Sequence, residues 1–353
     1  MFESFGFENL TAPQAAVYAA LAIGLVFGVL AQITRFCFRR AIVGEDRRAA
    51  AGVWLTALAV AVLGTQAAVS YDLISFADHR FMVADLPILA IVVGGLLFGA
   101  GMVLTRGCVS RLTVLTGSGN LRAALVLVVF AVVAHATLKG VLAPVRTALS
   151  AVTVPLENAA LPGSALIWAV VIAAAALAFA LRSGNRPGML VLAALLGALV
   201  PLAWVGTGFI LLDDFDPVAL ESLSFTSPAA DTLFWTIASS SIPANFGTGL
   251  MGGVFAGALL AALIRGQFAW QSFDNARQTG RYLAGAALMG VGGVLAGGCT
   301  VGAGLSGIPT LSIAAILAIV SIGLGGWATG RVLSASSGES AGSTPKQPLQ
   351  PAE

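Results

Sequence analysis

Apolar residues run along this chain in long blocks separated by short polar ones. Nine blocks stand out, at about 14–34, 50–70, 87–104, 121–142, 164–181, 188–211, 231–264, 282–297 and 310–330. Most have the roughly 17 to 25 residues that a helix needs to cross the hydrocarbon of a bilayer. None shows the period-two alternation of a barrel strand. The pattern predicts an all-α polytopic membrane protein with about nine transmembrane helices. The seventh block exceeds one span and is interrupted by Pro243 in SSSIPANFGTG, which predicts a half-helix, an unwound stretch and a further helix. The eighth is short and glycine-rich. From about residue 334, SASSGESAGSTPKQPLQPAE is too poor in apolar residues to bury a core and predicts a disordered tail, 334–353. The remainder, 1–333, reads as a single membrane domain with halves at roughly 14–142 and 164–333.

Composition agrees with the pattern. Only 10% of residues are charged, against about 25% in soluble domains. The net charge of +2 is too small to imply a nucleic-acid partner. Its distribution says more than its size. With nine spans, fifteen of the eighteen Lys and Arg residues fall on one side, leaving Arg80, Lys139 and Arg146 on the other. Basic loops stay cytoplasmic, so the N-terminus is expected in the periplasm and the C-terminus in the cytoplasm. The first residues, MFESFGFENLTAPQ, lack the basic start of a secretory signal. Three cysteines, each in or beside an apolar block, are not a disulfide framework.

Those cysteines mark an internal repeat. A shift of 71 superposes Gly24 on Gly95, Phe27 on Phe98, Gly28 on Gly99, Thr34 on Thr105, Arg35 on Arg106, Cys37 on Cys108 and Arg40 on Arg111. A shift of 191 brings Cys108 onto Cys299, with Gly99, Gly101, Leu104 and Gly107 on Gly290, Gly292, Leu295 and Gly298. A fainter copy without cysteine begins at Gly252. One unit recurs: a glycine-spaced helix that runs into a break, with a thiol at the break. In the expected topology the helix before Cys299 runs opposite to the other two, as in inverted-repeat transporters. For the three thiols to share one site, short segments at the breaks must dip back into the bilayer.

Irregular backbone at membrane depth is tolerated only inside protein or around a cavity. AGGCTVGAG therefore reads as an unwound turn whose N–H groups favour an anion. Arg35, Arg39, Arg40, Arg106 and Arg111 surround the first two breaks and would draw anions to a pore mouth. Membrane-side anchoring is the plainer role for these arginines; Arg106 and Arg111, which flank Cys108, are the better site candidates. Apolar surroundings favour the neutral thiol over the thiolate. Each thiol then offers a weak S–H donor, suited to the soft end of a sulfur-bearing anion. The candidate binding residues are Cys37, Cys108, Cys299, Gly107, Gly298, Thr300, Arg106 and Arg111. One cysteine in a membrane helix is usually a small apolar filler; three at the same place in a repeated unit are not. His135 within a span and His79 in a loop read as structural. DDFD at 213–216 lacks calcium-ligand spacing, and most glycines read as helix-packing contacts. With no phosphate loop, metal-ligand set or Ser-His-Asp order, no cofactor, metal or catalytic residue is expected.

TRFCFRRAI, TRGCVSRL, SIPANFGTGLMGG and RYLAGAALMGVGGVLAGGCTVGAGLSGIPTLS resemble the YeeE/YedE family of sulfur-transport membrane proteins, over about 15–330. The resemblance implies thiosulfate uptake across the bacterial inner membrane, with Cys37, Cys108 and Cys299 as essential substrate contacts. It also implies an hourglass built from inward-dipping short helices. A TusA-like sulfur-carrier protein serves some members as partner; no such domain is fused here. Two other readings stand beside transport of thiosulfate by non-covalent thiol contacts. One is a membrane sulfurtransferase or redox protein with a cysteine persulfide, the other a transporter of selenium compounds. An inert structural subunit is the plainest alternative.

Overall fold

The computed structural model describes residues 10–340 apart from 214 and 274. Residues 1–9 and the part of the expected tail from 341 onward lie outside the described residues. Among the described residues thirteen α-helices occur in order: α1 Ala12–Thr34, α2 Phe38–Val43, α3 Arg47–Ser70, α4 Ile88–Leu104, α5 Val109–Gly117, α6 Leu121–Lys139, α7 Ala143–Ser150, α8 Ala165–Leu181, α9 Pro187–Val205, α10 Thr226–Ala238, α11 Phe246–Ile264, α12 Ala276–Leu295 and α13 Ile313–Ser340. Of two π-helical segments, Gly206–Ile210 extends α9 and Thr300–Gly307 comes directly after Cys299. The strands are the antiparallel pair β1 Asp85–Leu86 and β2 Val154–Pro155.

The chain is thus an all-α polytopic membrane protein, with two adjustments to the expected element list. Among the described residues, eight helical stretches are long and apolar enough to cross a bilayer, and α8, the fifth expected block, is a shorter apolar helix of 17 residues at the lower end of that range. Within the expected tail, residues 334–340 are helical, because α13 continues through them. Its Ser and Gly residues are weak helix formers, but they prolong an apolar helix already nucleated.

Local chemistry explains where helices start. Thr11 caps α1 in a capping box with Gln14. Asn120, Asn245 and Asn275 each accept a backbone N–H at the third helical position of α6, α11 and α12, at 3.0, 2.9 and 2.8 Å. The interruption around Pro243 is present, with α10 before it and α11 after it. The eighth block is not short, however. Capped by Asn275, α12 begins in the polar run ARQTGRY, which an apolar scan does not register, and reaches 20 residues.

The repeated glycines are packing positions. Side chains at Gly24 or Gly28 would collide with the α11 backbone, and side chains at Gly95 or Gly99 with α13. Without them the backbones approach closely, the main source of helix association where no hydrophobic force operates. The contacts also give direction. Gly24 meets Leu250 and Gly28 meets Val254, so α1 and α11 are parallel. Gly94 meets Ala296 while Gly101 meets Gly285, so α4 and α12, the helices before Cys108 and Cys299, are antiparallel.

Candidate functional site

Each cysteine stands at the same local device. The residue two positions earlier is left-handed: Arg35 at φ 52°, Arg106 at φ 60° and Gly297 at φ 72°. Positive φ is costly for arginine, so two of these breaks are held by their surroundings. Arg40 helps at the first, donating to the Arg35 carbonyl at 2.7 Å and pairing with Asp46. At the second, the Thr105 hydroxyl donates to the carbonyls of Gly101 and Gly107 at 2.9 and 3.0 Å. The cysteine then adopts extended backbone and caps the next helical segment: Cys37 for α2, Cys108 for α5, Cys299 for Thr300–Gly307. Its sulfur faces the amide three residues on, in Arg40, Arg111 and Gly302 respectively. Only the last contact is a full hydrogen bond, Gly302 N–H to Cys299 Sγ at 3.3 Å.

The three breaks converge. All three cysteines are free and buried. The Cys108 thiol interacts with the Cys37 thiol and with the hydroxyls of Ser110 and Thr300, the Ser110 oxygen lying at 3.3 Å. Cys299 lies within electrostatic range of Cys108. Thr300 Oγ1 is buried and has no partner beyond that thiol. Helices that break on opposite faces thus bring their thiols to a common centre, with Thr300 spanning between them.

The remaining sequence-derived candidates sit as follows. Arg111 places a buried, unpartnered terminal nitrogen within electrostatic range of both Cys37 and Cys108. Arg106 is exposed and points into a different cavity, beside Arg39. Gly107 and Gly298 are buried. A β-carbon at Gly107 would have ordinary neighbours, the nearest at 3.4 Å, whereas one at Gly298 would press on the Ala303 nitrogen at 2.9 Å. The stretch after Cys299 is not the expected unwound turn with open N–H groups. It is π-helical and buried, and amides of Gly302, Val301 and Phe225 turn onto the sulfur itself.

A cavity of about 610 Å³ adjoins this centre, touching Gly302 and Ser306. Its walls are mixed in charge. Among the described residues, Asp78, Glu221 and Asp231 line it against the guanidinium of Arg80. His79 adds no charge at neutral pH, because burial, assisted by Arg80, pushes its pKa down to about 4. Arg80 lies within electrostatic range of both Glu221 and Cys299. In the sequence Arg80 is merely one of three cations on the sparse side, and that scarcity was the available signal for its place in the cavity wall. Trp204 and Ser224 carry no such signal, yet they line the cavity and hold buried polar atoms without partners.

His135 stacks against Phe234 with ring centres 4.8 Å apart. Asp213 folds its carboxylate onto the Phe215 amide at 3.0 Å, and among the described residues no group of carboxylates, histidines and cysteines could hold a metal.

The fold and this centre define a class: a multi-pass helical membrane protein whose broken helices carry buried thiols to one point. The chain belongs to the sulphur-transport family, whose model matches residues 31–328. It is 28% identical to a protein named thiosulfate transporter TsuA from Spirochaeta thermophila over 336 residues, covering 90% of this chain and 99% of the relative. It is 26% identical to the Escherichia coli protein of the same name over 343 residues, covering 88% and 93%.

Proposed function

We propose that this chain imports thiosulfate, or a closely related sulfur-containing anion, across the bacterial inner membrane. The N-terminus is then periplasmic and the C-terminus cytoplasmic. The anion enters by the Arg80 cavity, meets Cys299, and passes to Cys108 and Cys37. The thiols act as uncharged S–H donors, and no bond to sulfur is made or broken. Bare charge in low dielectric is costly, so the path must replace water stepwise. Thr300, Ser110 and the thiols offer that sequence of weak donors, and Arg111 compensates the charge at the far end. The observation that carries this reading is the meeting of three buried free thiols from three separate helix breaks. A TusA-like carrier receiving sulfur at the cytoplasmic face is compatible with it.

The test is uptake of labelled thiosulfate in cells lacking other importers, with each cysteine changed to Ala and to Ser. Loss of uptake in the Ala variants, with partial retention in Ser, is expected. Full uptake in all three Ala variants refutes the relay. Mass spectrometry of the working protein separates the covalent alternative, since a persulfide on Cys108 during turnover identifies a sulfurtransferase. Competition by selenium-containing anions tests the substrate assignment.

A further inference from the structure

On the arginine-rich face lies a second cavity, of about 240 Å³, lined by Arg39, Arg47, Arg106, Arg281 and Arg331. These come from α2, α3, the break after α4, α12 and α13. Among the described residues no Asp or Glu lines it. The ion pair between described residues, Arg40 with Asp46, involves none of the five. Arg39 experiences Arg106 and Arg281 as like charges. The Nε atoms of Arg39 and Arg281 are buried and have no hydrogen-bond partner. Arginines that serve only as topological anchors extend into water; arginines from four helices and one helix break that line a single cavity, two of them with buried orphan donors, do something else. Like charges so placed repel one another, and a buried donor left unmade is costly. A single multivalent anion relieves both.

The chemistry of that anion is set by the donors. Guanidinium groups bind tetrahedral oxyanions through paired N–H bonds. The volume admits one such group with some water, at about 30 Å³ of liquid per water molecule. One wall is apolar, from Ile42, Val43 and Leu333, and Trp327 stands at its edge, 49% exposed, with Arg331 over its ring at 5.2 Å. Tryptophan beside arginine is the side-chain pairing of a membrane interface, and basic pockets between helices on that side take phospholipid headgroups.

We propose that this cavity is a binding site for a phosphate-type oxyanion, supplied by the headgroup of an anionic phospholipid or by a free divalent oxyanion. It does not depend on the route through the thiols, and binding tests it separately from transport. The full chain is purified and delipidated. In one arm, native mass spectrometry follows titration with cardiolipin and, as control, phosphatidylcholine. In the other, equilibrium dialysis measures labelled sulfate without lipid. Saturable binding is expected in at least one arm, weakened tenfold or more by the double change Arg281→Gln and Arg331→Gln, about 1.4 kcal/mol. Binding in the cardiolipin arm alone identifies a lipid site; binding of sulfate identifies a free-anion site. Phenylglyoxal labelling of the unmodified chain covers the case in which the double variant does not fold. Arg281 and Arg331 are expected to be protected by the bound probe. No saturable binding in either arm, equal binding by the variant, or labelling unchanged by both probes overturns the proposal.

Discussion

Replacing Glu221 by Gln is expected to raise anion uptake at neutral pH. The reason is the charge imbalance of the outer cavity, where among the described residues three carboxylates face one arginine. Burial pushes the Glu221 carboxyl above the usual carboxylate range; Arg80 opposes the rise and Asp231 adds to it. At neutral pH the ionised form repels an incoming dianion. A sphere of 610 Å³ has a radius of about 5 Å, so a dianion at its centre and a wall carboxylate repel by about 1.7 kcal/mol at the dielectric of bulk water. Physiological salt roughly halves this over such a distance. The corresponding gain in occupancy for Glu221→Gln is about four- to seventeen-fold. The sign with pH comes from the raised value. Glu221 takes up its proton on acidification before an ordinary glutamate does, so uptake by the native protein rises as external pH falls through that range. The Gln variant shows high uptake throughout and a flatter profile. Linkage has a matching sign: for a carboxyl raised in the folded state, stability is greatest below its unfolded pKa and declines as pH rises through the folded one. The assay is initial-rate uptake of labelled thiosulfate into proteoliposomes across the acidic to neutral range, where the substrate stays a dianion. Equal neutral-pH rates and equal slopes for native and variant refute the reasoning.

The same geometry sets other expectations. Arg80→Gln removes the cation that lines the outer cavity among the described residues and should lower uptake tenfold or more while leaving thermal stability nearly unchanged; a normal rate in proteoliposomes contradicts the assigned way in. Thr300→Val removes the hydroxyl that reaches the Cys108 thiol and should slow uptake without loss of folded protein, as read by uptake beside size-exclusion profiles. Gly28→Ala places a β-carbon against the α11 backbone and should destabilise by about 1–3 kcal/mol, seen as a lower melting temperature in detergent. Gly107→Ala, whose β-carbon would make only ordinary contacts, should melt normally, whereas Gly298→Ala should disturb the turn that sets Cys299; equal melting and uptake for the two would disprove the difference.

Much was legible in the order of residues. Long apolar blocks set the helices because lipid cannot satisfy a bare backbone, and that requirement is local. The shifts of 71 and 191 exposed the recurring break, since identical backbone devices need similar residues at similar spacing. Even the left-handed positions obey those shifts, at Arg35, Arg106 and Gly297. Sequence could not supply anything set by distant partners. The full length of α12 was hidden because its first turns are polar and held by a cap and by packing. The acidic character of the outer cavity needed loops around residues 78, 221 and 231 to be folded together. The meeting of Cys37, Cys108 and Cys299 depended on glycine-mediated helix contacts that fix how far each broken end returns toward the centre. Periodicity and repetition are properties of a chain read in order, whereas proximity between residues 191 apart exists only after the helices have packed.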